Sequence, residues 1–520
     1  MNGHFFSSLD KSLTRLQFFI ITFAVALLVS APLLSSGIHY QDDNFRLITG
    51  NVDFWSKNGR PLAVWLAYLL QFSSVISDTS PFSLVIGLMT LAALLALSME
   101  RLTRVSSTQA LLLSLVVMLS PFMVQAMLYA YDALAILLSI GLGFLGCMAL
   151  SDRRLFQYGF SFLIFLAAAC LYQTAVNHSF ILIALGLVLA IDRHPGGADK
   201  QLAPACLSLA GLFTALVIYR VLIVPYCVTD SYNMARAATV PVNLQGAKQV
   251  MGNALKGVEV LREAFPGYAG VPVMLIFLAG TCGCWKIAVK QLVARPRHWL
   301  NYPKAAFCFT APMFVCAAIA GFLLILNAVS LDPRVLTAFS TALVFNVCIA
   351  HKAWPGLKRP LTVLLLAYLL FSATFMLAAF RAAVNQSHFD NGLAISIRND
   401  LSHMDGERIH LVSIIGASPL APATQPAFRN YPMLKKIISP ALSENGLFGY
   451  YALMNKFMVL YPLGLTTPTL TAYVPPAVSA SNCIYRLYRY KKGAVLDFTT
   501  PSCTLLAEPF DSKLADPDDL

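Results

Sequence analysis

Residues 39–61 read HYQDDNFRLITGNVDFWSKNGRP, and they separate the first long apolar run of the chain from the second. The stretch is unusually rich in charged and aromatic side chains, namely Asp42, Asp43, Asp53, Trp55, Lys57 and Arg60. Ionisable residues near membrane spans tend to be functional, so a short loop that gathers carboxylates, an indole and cations predicts an active site at a membrane face. The alternative is structural, because adjacent acids in a loop are often solvated or cap the next helix.

The composition of the chain predicts an integral membrane protein. Of its 520 residues, 58% are hydrophobic and only 12% are charged. Apolar runs of about 18 residues or more, which are long enough to cross a bilayer as helices, recur along the chain. The net charge of the chain is +12. In a membrane protein, such an excess of basic residues usually lies in the loops that set its orientation. No soluble segment shows a basic patch interleaved with aromatic residues, so we expect no nucleic-acid partner.

Hydropathy predicts an α-helical protein with about eleven transmembrane helices. The predicted spans lie near 17–36, 80–99, 108–128, 133–150, 156–175, 178–191, 203–224, 271–290, 305–328, 335–350 and 361–380. Residues 61–77 are apolar but short and contain interfacial aromatics, so we expect a helix that lies at the outer interface of the bilayer.

The distribution of basic residues predicts how these spans are oriented. Alternate connections are basic, and they lie at 101–107, 151–155, 192–202, 286–304 and 351–360. The other turns, near 129–132, 176–178 and 329–334, contain almost no Lys or Arg. We therefore place the N-terminus in the cytoplasm, and residues 39–61, 225–270 and everything after 381 on the outer side.

Residues 381–520 differ from the rest of the chain in their residue pattern. They predict a small soluble α/β domain outside the cytoplasm, separate from the transmembrane domain at 1–380. Pro, Gly, Ser and Asn punctuate short mixed stretches such as IHLVSII at 409–415 and IYRLYRY at 484–490, a pattern typical of strands and loops. The two cysteines of this tail are Cys483 and Cys503. An oxidising compartment favours a disulfide between them, and the alternative is that both stay unpaired.

Several function classes lack their sequence signals. The chain has no GxGxxG after a strand and no Walker loop, so nothing supports a cytoplasmic nucleotide site. No internal repeat is evident, which weakens a transporter built from inverted halves. No CxxC or histidine-rich spacing indicates a metal site.

The order of features in the first residues resembles that of a known enzyme family. A short basic N-terminus, one span, an outer loop with Asp42-Asp43 and then residues 58–61, NGRP, is similar to the serotype-converting O-antigen glucosyltransferases of Gram-negative bacteria and their phages, the Gtr family. Tyr172-Gln173 at an outer helix end and Arg334 after a short outer turn add to the resemblance, which covers about residues 1–380.

The resemblance implies a polytopic glycosyltransferase of the GT-C architecture in the bacterial inner membrane, with its active site on the periplasmic face. Such enzymes take a sugar from a polyprenyl phosphate. For this family the implied donor is undecaprenyl-phosphate-glucose and the implied acceptor is the O-antigen of lipopolysaccharide. The competing classes are a transporter or flippase for a lipid-linked sugar and a non-catalytic scaffold of the envelope.

The acceptor hydroxyl needs a general base, and Asp42 or Asp43 can serve. If the chain there is extended, the two side chains point in opposite directions. We favour Asp42 slightly, because Asp43 lies nearer the apolar and aromatic run and is better placed for a structural contact. Adjacent carboxylates can also hold Mg²⁺ or Mn²⁺, but the sequence does not demand a metal or another cofactor.

The lipid phosphate that leaves the donor needs cations, and the sugar needs aromatic or polar side chains around it. The candidates for binding the donor phosphate are Lys57, Arg60 and Arg334. The candidates for lining the sugar and the acceptor are Trp55, Tyr129, Tyr131, Tyr172 and Gln173.

Other polar residues have structural interpretations. Asp132 is expected to cap the helix that begins there, and His178 is expected to be a polar packing residue. Glu259, Arg262 and Glu263 are expected to form the solvated face of a helix in the 225–270 loop.

Overall fold

A computed structural model of the chain describes residues 12–150, 153–193, 202–294, 301–404, 411–444, 453, 461–462, 478–490 and 493–499. The chain divides into two compact units. Unit 1 comprises Met1–Gly37, Asn51–Arg381 and Phe428–Ile437, and unit 2 comprises Ile38–Gly50, Ala382–Ala427 and Ile438–Leu520. The stretch Ile38–Gly50, which holds the paired carboxylates, thus groups with C-terminal residues, whereas the predicted division was 1–380 and 381–520. The functional roles of those two domains stay predictions.

The first half of the described chain is helical. Its helices are α1 (Arg15–Leu34), α2 (Asp43–Thr49), α3 (Asp53–Lys57), α4 (Pro61–Gln71), α5 (Phe82–Thr103), α6 (Ser107–Met118), α7 (Val124–Leu128), α8 (Ala133–Gly146), α9 (Arg154–Leu171), α10 (Val176–Arg193) and α11 (Ala203–Ile218). The entry to α1 shows how local sequence sets a helix start. Thr14 and Gln17 each accept the backbone N–H of the other, at 3.2 and 3.0 Å, in a capping box.

The second half continues with helices and ends in strands. A π-helical turn, Tyr219–Ile223, joins α11 to α12. The helices that follow are α12 (Val224–Cys227), α13 (Ser231–Ala237), α14 (Leu244–Ala264), α15 (Gly270–Ala294), α16 (Asn301–Ala320), α17 (Phe339–Ala353), α18 (Lys358–His403), α19 (Gln425–Asn430) and α20 (Leu434–Ile437). The strands are β1 (Leu411–Ile415), β2 (Tyr461–Pro462), β3 (Val478–Ser481), β4 (Arg486–Tyr490) and β5 (Gly493–Asp497).

Within the described ranges, eight helical segments are long and apolar enough to cross a membrane, or nine if the bent pair Ser107–Met118 and Pro121–Leu128 is one span. This confirms a helical, multi-pass type of chain, and the count of eleven stays a prediction. The predicted spans near 133–150 and 335–350 form helices of only 14 and 15 residues. At about 1.5 Å per residue these fall short of the bilayer core of about 30 Å. Most of their side chains are buried inside unit 1.

Helix α4 supports the prediction that residues 61–77 do not form a full span. It is apolar but has only 11 residues. Pro61 occupies its first turn, where the missing N–H costs nothing. Its place at the interface stays a prediction.

Unit 2 contains a five-stranded sheet of order β2-β1-β5-β4-β3. Strand β1 is parallel to β2 and β5, whereas β5, β4 and β3 run antiparallel. Every residue of β5 is buried. The C-terminal part of α18 packs on this core through Leu393 and Ile397. Residues 411–415 and 486–490 are therefore strands, as the patterns at 409–415 and 484–490 predicted.

A polar network fixes α18 within unit 2. Asp390, which is buried, accepts hydrogen bonds from the side chain of Gln386 and from the backbone N–H of Ala441, both at 3.0 Å. Gln386 in turn accepts the N–H of Ala421 at 2.8 Å. These bonds hold the loops that follow β1 against the helix.

Candidate active site

The turn between α3 and α4 positions Arg60 in the site of unit 1. Gly59 has φ +76°, a left-handed conformation that favours glycine. A Cβ there would collide with the hydroxyl of Tyr219 and crowd the amide of Gln173. The N–H of Arg60 donates to the Trp55 carbonyl at 2.8 Å, which closes the turn. The glycine thus lets Tyr219 and Gln173 approach the backbone next to Arg60.

Arg60 is held from three sides. Its Nε donates to Gln173 Oε1 at 3.2 Å. Its Nη1 lies 3.5 Å from Asp132 Oδ1 in an ion pair that is mostly shielded from solvent. Its guanidinium lies 4.5 Å from the centroid of the Tyr172 ring. A guanidinium restrained by a hydrogen bond, a carboxylate and an aromatic face presents a fixed fork of N–H groups.

Gln173 and Tyr219 connect Arg60 to its own turn. Gln173 Nε2 donates to the Asn58 carbonyl at 2.6 Å and to Tyr219 Oη at 2.7 Å. Tyr219 Oη then donates to the Gly59 carbonyl at 2.8 Å. Tyr219 is the first residue of the π-helical turn, an irregularity that is frequent at functional sites.

Like Arg60, Arg334 lies against a tyrosine ring. Its guanidinium lies 4.4 Å from the centroid of the Tyr129 ring, and its backbone N–H donates to Gln125 Oε1 at 3.1 Å. Burial lowers the pKa of Arg334, but the charges and dipoles of its neighbours raise this pKa by more, so that the net shift is upward. Those neighbours are Tyr129, Tyr172, Asp332 and Asp132. Two of them, Tyr172 and Asp132, also contact Arg60, so both arginines belong to one polar site.

The structure therefore brings together five of the residues predicted from the sequence, namely Arg60, Tyr129, Tyr172, Gln173 and Arg334. Tyr129 and Tyr172 are each only 1% exposed. The Tyr172 hydroxyl is buried and has no hydrogen-bond partner among the described residues. An unsatisfied buried hydroxyl is costly, which suggests a place where a ligand oxygen completes the bonding.

Two of the predicted sugar-lining residues border a different space. Trp55 and Tyr131 line a small cleft. Its lining includes the apolar residues Leu66 and Leu134 and the polar residues Gln71, Thr79, Ser80 and Ser83. Lys57, predicted to bind the phosphate, is exposed, and its Nζ lies 5.4 Å from the Phe54 ring centroid.

The paired carboxylates lie in unit 2, at the start of α2. Arg46 Nη1 is 3.2 Å from Asp43 Oδ1, and Arg46 Nη2 is 3.6 Å from Asp42 Oδ2. The Asp43 side chain is fully buried, whereas that of Asp42 is 39% exposed. The condition of an extended chain is not met here, because Asp42 has helical backbone angles. A helix places residues three and four apart on one side, so both carboxylates meet the same guanidinium.

Two structural interpretations have different outcomes. The expectation that Asp132 caps α8 is wrong, because the structure gives it no side-chain capping bond and pairs it with Arg60 instead. A distant ion-pair partner has replaced the local cap. His178 packs as expected, since it is buried and its ring nitrogens lie 2.7 and 3.1 Å from the hydroxyls of Thr341 and Thr337.

Sequence reasoning missed Asp132 and Tyr219 as members of the site. The signal for Asp132 was its place as the only acid of an outer turn, 129–132, between apolar runs. The signal for Tyr219 was weaker, because a tyrosine near a span end is typical of the interface.

The remaining predictions for the site concern a disulfide and a metal ion. Cys483 is disulfide-bonded, but Cys503 lies outside the described residues, so the pairing of these two stays a prediction. Among the residues that the structure describes, no three His, Cys, Asp or Glu side chains form a group that could hold a metal ion.

The fold is that of a helical, multi-pass membrane protein, and two half-buried arginines, Arg60 and Arg334, lie in its polar site in unit 1. A family model described as Glucosyl transferase GtrII matches residues 31–347, more than half of the chain. The chain belongs to this glucosyltransferase family, which confirms the resemblance to the Gtr enzymes. It is also 22% identical over 440 residues to an uncharacterized 55.3 kDa protein in the gtrB 5' region of Salmonella phage P22, covering 84% of this chain and 90% of the phage protein.

Proposed function

We propose that the chain transfers glucose from undecaprenyl phosphate to the O-antigen of lipopolysaccharide, with inversion and at the periplasmic face of the inner membrane. Transfer would modify the serotype. The observation that carries the proposal is the paired-arginine site, in which Arg60 and Arg334 share Asp132 and Tyr172 as neighbours. Membership in a glucosyltransferase family supplies the reaction class.

The arginine site suits the phosphate of the donor. When the anomeric C–O bond breaks, the bonding electrons go to the phosphate oxygen, whose charge needs donors that are already oriented. Arg60 and Arg334 are each stacked on a tyrosine ring, at 4.5 and 4.4 Å. Stacking fixes the plane of the guanidinium, so its N–H groups can meet two phosphate oxygens at once. Asp132 keeps Arg60 in place and limits the net positive charge when no donor is bound.

The sugar would lie between the arginine site and the cleft of Trp55 and Tyr131. Aromatic rings provide flat faces for the C–H groups of a hexose, and the hydroxyls of Thr79 and Ser80 provide hydrogen bonds for its polar edge. Tyr172, with its unsatisfied buried hydroxyl, is a further hydrogen-bond donor for a ligand oxygen.

The general base in this proposal is Asp42. The acceptor oxygen attacks the anomeric carbon, its proton passes to the carboxylate, and polyprenyl phosphate leaves. Asp43 is fully buried against Arg46 and takes the structural role. Asp42 keeps part of its carboxylate exposed, which a base that meets an acceptor hydroxyl requires. Lys57 is proposed as a peripheral cation for the donor phosphate.

The test is reconstitution of the purified protein in proteoliposomes with undecaprenyl-phosphate-glucose and O-antigen-bearing lipopolysaccharide. Mass and linkage analysis should show one added hexose per modified repeat. Arg60→Ala should abolish the product. Arg236→Ala is a matched control, because Arg236 is exposed and stacks on Tyr232 at 5.1 Å, in a contact unrelated to the site. Movement of the donor across the bilayer without any hexose on the acceptor would instead favour a flippase.

A further inference from the structure

Helix α14 (Leu244–Ala264) is amphipathic, but it exposes its apolar face and buries the opposite one. The side chains that it buries are small or polar for the most part, namely Gly246, Asn253, Gly257, Val260 and Ala264. The side chains that it exposes include Leu244 at 76%, Met251 at 63%, Leu255 at 61% and Val258 at 59%. With about 3.6 residues per turn, these four lie on one side of the helix. A helix that only covered a soluble surface would bury this side.

Polar bonds hold α14 in this orientation. Asn253 Nδ2 donates to the carbonyls of Leu324 and Leu326, both at 3.0 Å. One turn earlier, Gln249 Nε2 donates to the Asn327 carbonyl at 2.6 Å. The segment before the helix is tied to the same stretch, since the Val240 N–H donates to the Ile325 carbonyl at 2.9 Å. The apolar face is therefore directed outward by specific contacts on the opposite face.

The ends of two candidate membrane spans flank this helix. Ala203–Cys227 precedes it and Gly267–Val293 follows it, so consecutive spans end and begin on the same side of the membrane. Tyr226 and Tyr268 stand at these ends and are 87% and 93% exposed. Tyrosines at span ends are typical of the membrane–water interface. Both ends of the α14 segment thus have the type of residue that is typical at the level of the lipid headgroups.

Basic residues accompany the apolar face. Lys248 and Arg262 are exposed and lie on the same side of the helix as Leu255. Of the three residues expected to form a solvated face, Glu259 and Arg262 are exposed, whereas Glu263 is half-buried and pairs with Lys436 at 3.3 Å. Cations beside an apolar stripe complement anionic lipid headgroups above acyl chains.

We propose that α14 lies in the plane of the membrane interface. In this arrangement Leu244, Met251, Leu255 and Val258 enter the acyl region, and Lys248 and Arg262 bind the phosphates of anionic lipids. The 228–266 segment is then a lipid-bound element and not a free loop. This inference does not depend on the proposed glycosyl transfer.

Photocrosslinking tests the apolar contact directly in membranes. Benzoylphenylalanine placed at Met251 or Leu255 should yield adducts with phospholipid. The same probe at Lys256, which is exposed on the flank of the helix, is the matched control and should yield few. Equal labelling at all three positions would overturn the proposal, and so would adducts with a second copy of the chain or another protein in place of lipid.

A second measurement tests the role of the basic residues Lys248 and Arg262 and leaves the apolar side chains of α14 unchanged. Amide hydrogen exchange of α14 should be slower in nanodiscs of phosphatidylglycerol than in nanodiscs of phosphatidylcholine. The Lys248→Glu, Arg262→Glu double variant should lose this difference, while exchange in α10 serves as a check that the fold is intact. The same exchange rate in both lipids for the unchanged chain would contradict binding to anionic headgroups.

Discussion

The two charged clusters of the molecule are built in opposite ways. In unit 2, Asp42 and Asp43 meet Arg46 within one turn of helix. In unit 1, Arg60 meets Gln173 across 113 residues of chain, and Tyr219 meets Gly59 across 160. A local cluster depends on helix geometry alone, whereas the arginine site exists only when several helices have packed. In the proposed function, the first is a carboxylate pair with divided roles and the second is a rigid anion site.

Asp42→Asn should give the largest effect. If Asp42 is the base, transfer should fall by about 10²–10⁴-fold with an unchanged amount of folded protein. The readout is the initial rate of hexose transfer in proteoliposomes. Asn is nearly the same size, so this change removes proton acceptance and the partly exposed ion pair with Arg46. Near-normal rates in both Asp42→Asn and Asp43→Asn would remove the carboxylate pair from the mechanism and leave only the arginine site.

Arg60→Lys should have the next largest effect and should act on the donor. Lysine keeps the charge but loses the Nε bond to Gln173 and the planar fork. Hydrogen bonds to charged groups contribute about 1.5–3 kcal/mol, so the KM for the lipid donor should rise by about 10–100-fold. The KM for the O-antigen acceptor should change little. A larger change for the acceptor would assign Arg60 to the other substrate.

Asp43→Asn should affect stability more than chemistry. It removes the nearer of two carboxylates from Arg46, which is only 5% exposed. The free energy of unfolding should fall by about 1–3 kcal/mol, seen as a lower melting temperature of the purified protein. Asp42→Asn is the control, because its carboxylate is partly exposed and its loss should lower stability less. A rate loss equal to that of Asp42→Asn at unchanged stability would reverse the two roles.

The same contrast between local and distant contacts separates what the sequence could predict from what it could not. The predicted span 80–99 corresponds to α5 because hydropathy and length are local properties. The helices at the predicted spans near 133–150 and 335–350 have only 14 and 15 residues, a length that composition could not predict, since an apolar helix buried in protein has the same composition as one in lipid. The Asp132 cap was wrong because a tertiary partner, Arg60, outcompeted the local backbone.

Individual site residues follow the same division. Arg60, Arg334, Tyr172 and Gln173 could be proposed singly from their positions at outer helix ends. Their meeting in one site could not, because it depends on how α4, α9 and the turn before α17 pack. The alternation of Asp42 and Asp43 was conditional on an extended chain, and it does not apply because a helix begins there.

The smallest expected effect tests how rigid the arginine site is. Tyr219→Phe removes one hydroxyl that donates to the Gly59 carbonyl and accepts from Gln173. Of these two bonds, the one from Gln173 leads to Arg60. A single hydrogen bond contributes about 0.5–1.5 kcal/mol, so the donor KM should rise by about 2–10-fold while kcat and the amount of folded protein change little. An effect on kcat alone would mean that Tyr219 acts on the chemistry and not on the position of Arg60.

A double-mutant cycle with Gly59→Ala sharpens this test. Alanine at Gly59 strains a left-handed backbone and places Cβ against the Tyr219 hydroxyl, so by itself it should cost about 1–3 kcal/mol. Part of that cost is the collision, which Tyr219→Phe relieves. The two changes should therefore be less harmful together than the sum of their separate effects, as contacting residues usually are. Simple additivity would mean that the hydroxyl does not set the turn. Arg60 would then be positioned by Asp132 and Tyr172 alone, and the arginine site would be less dependent on distant packing than its contacts indicate.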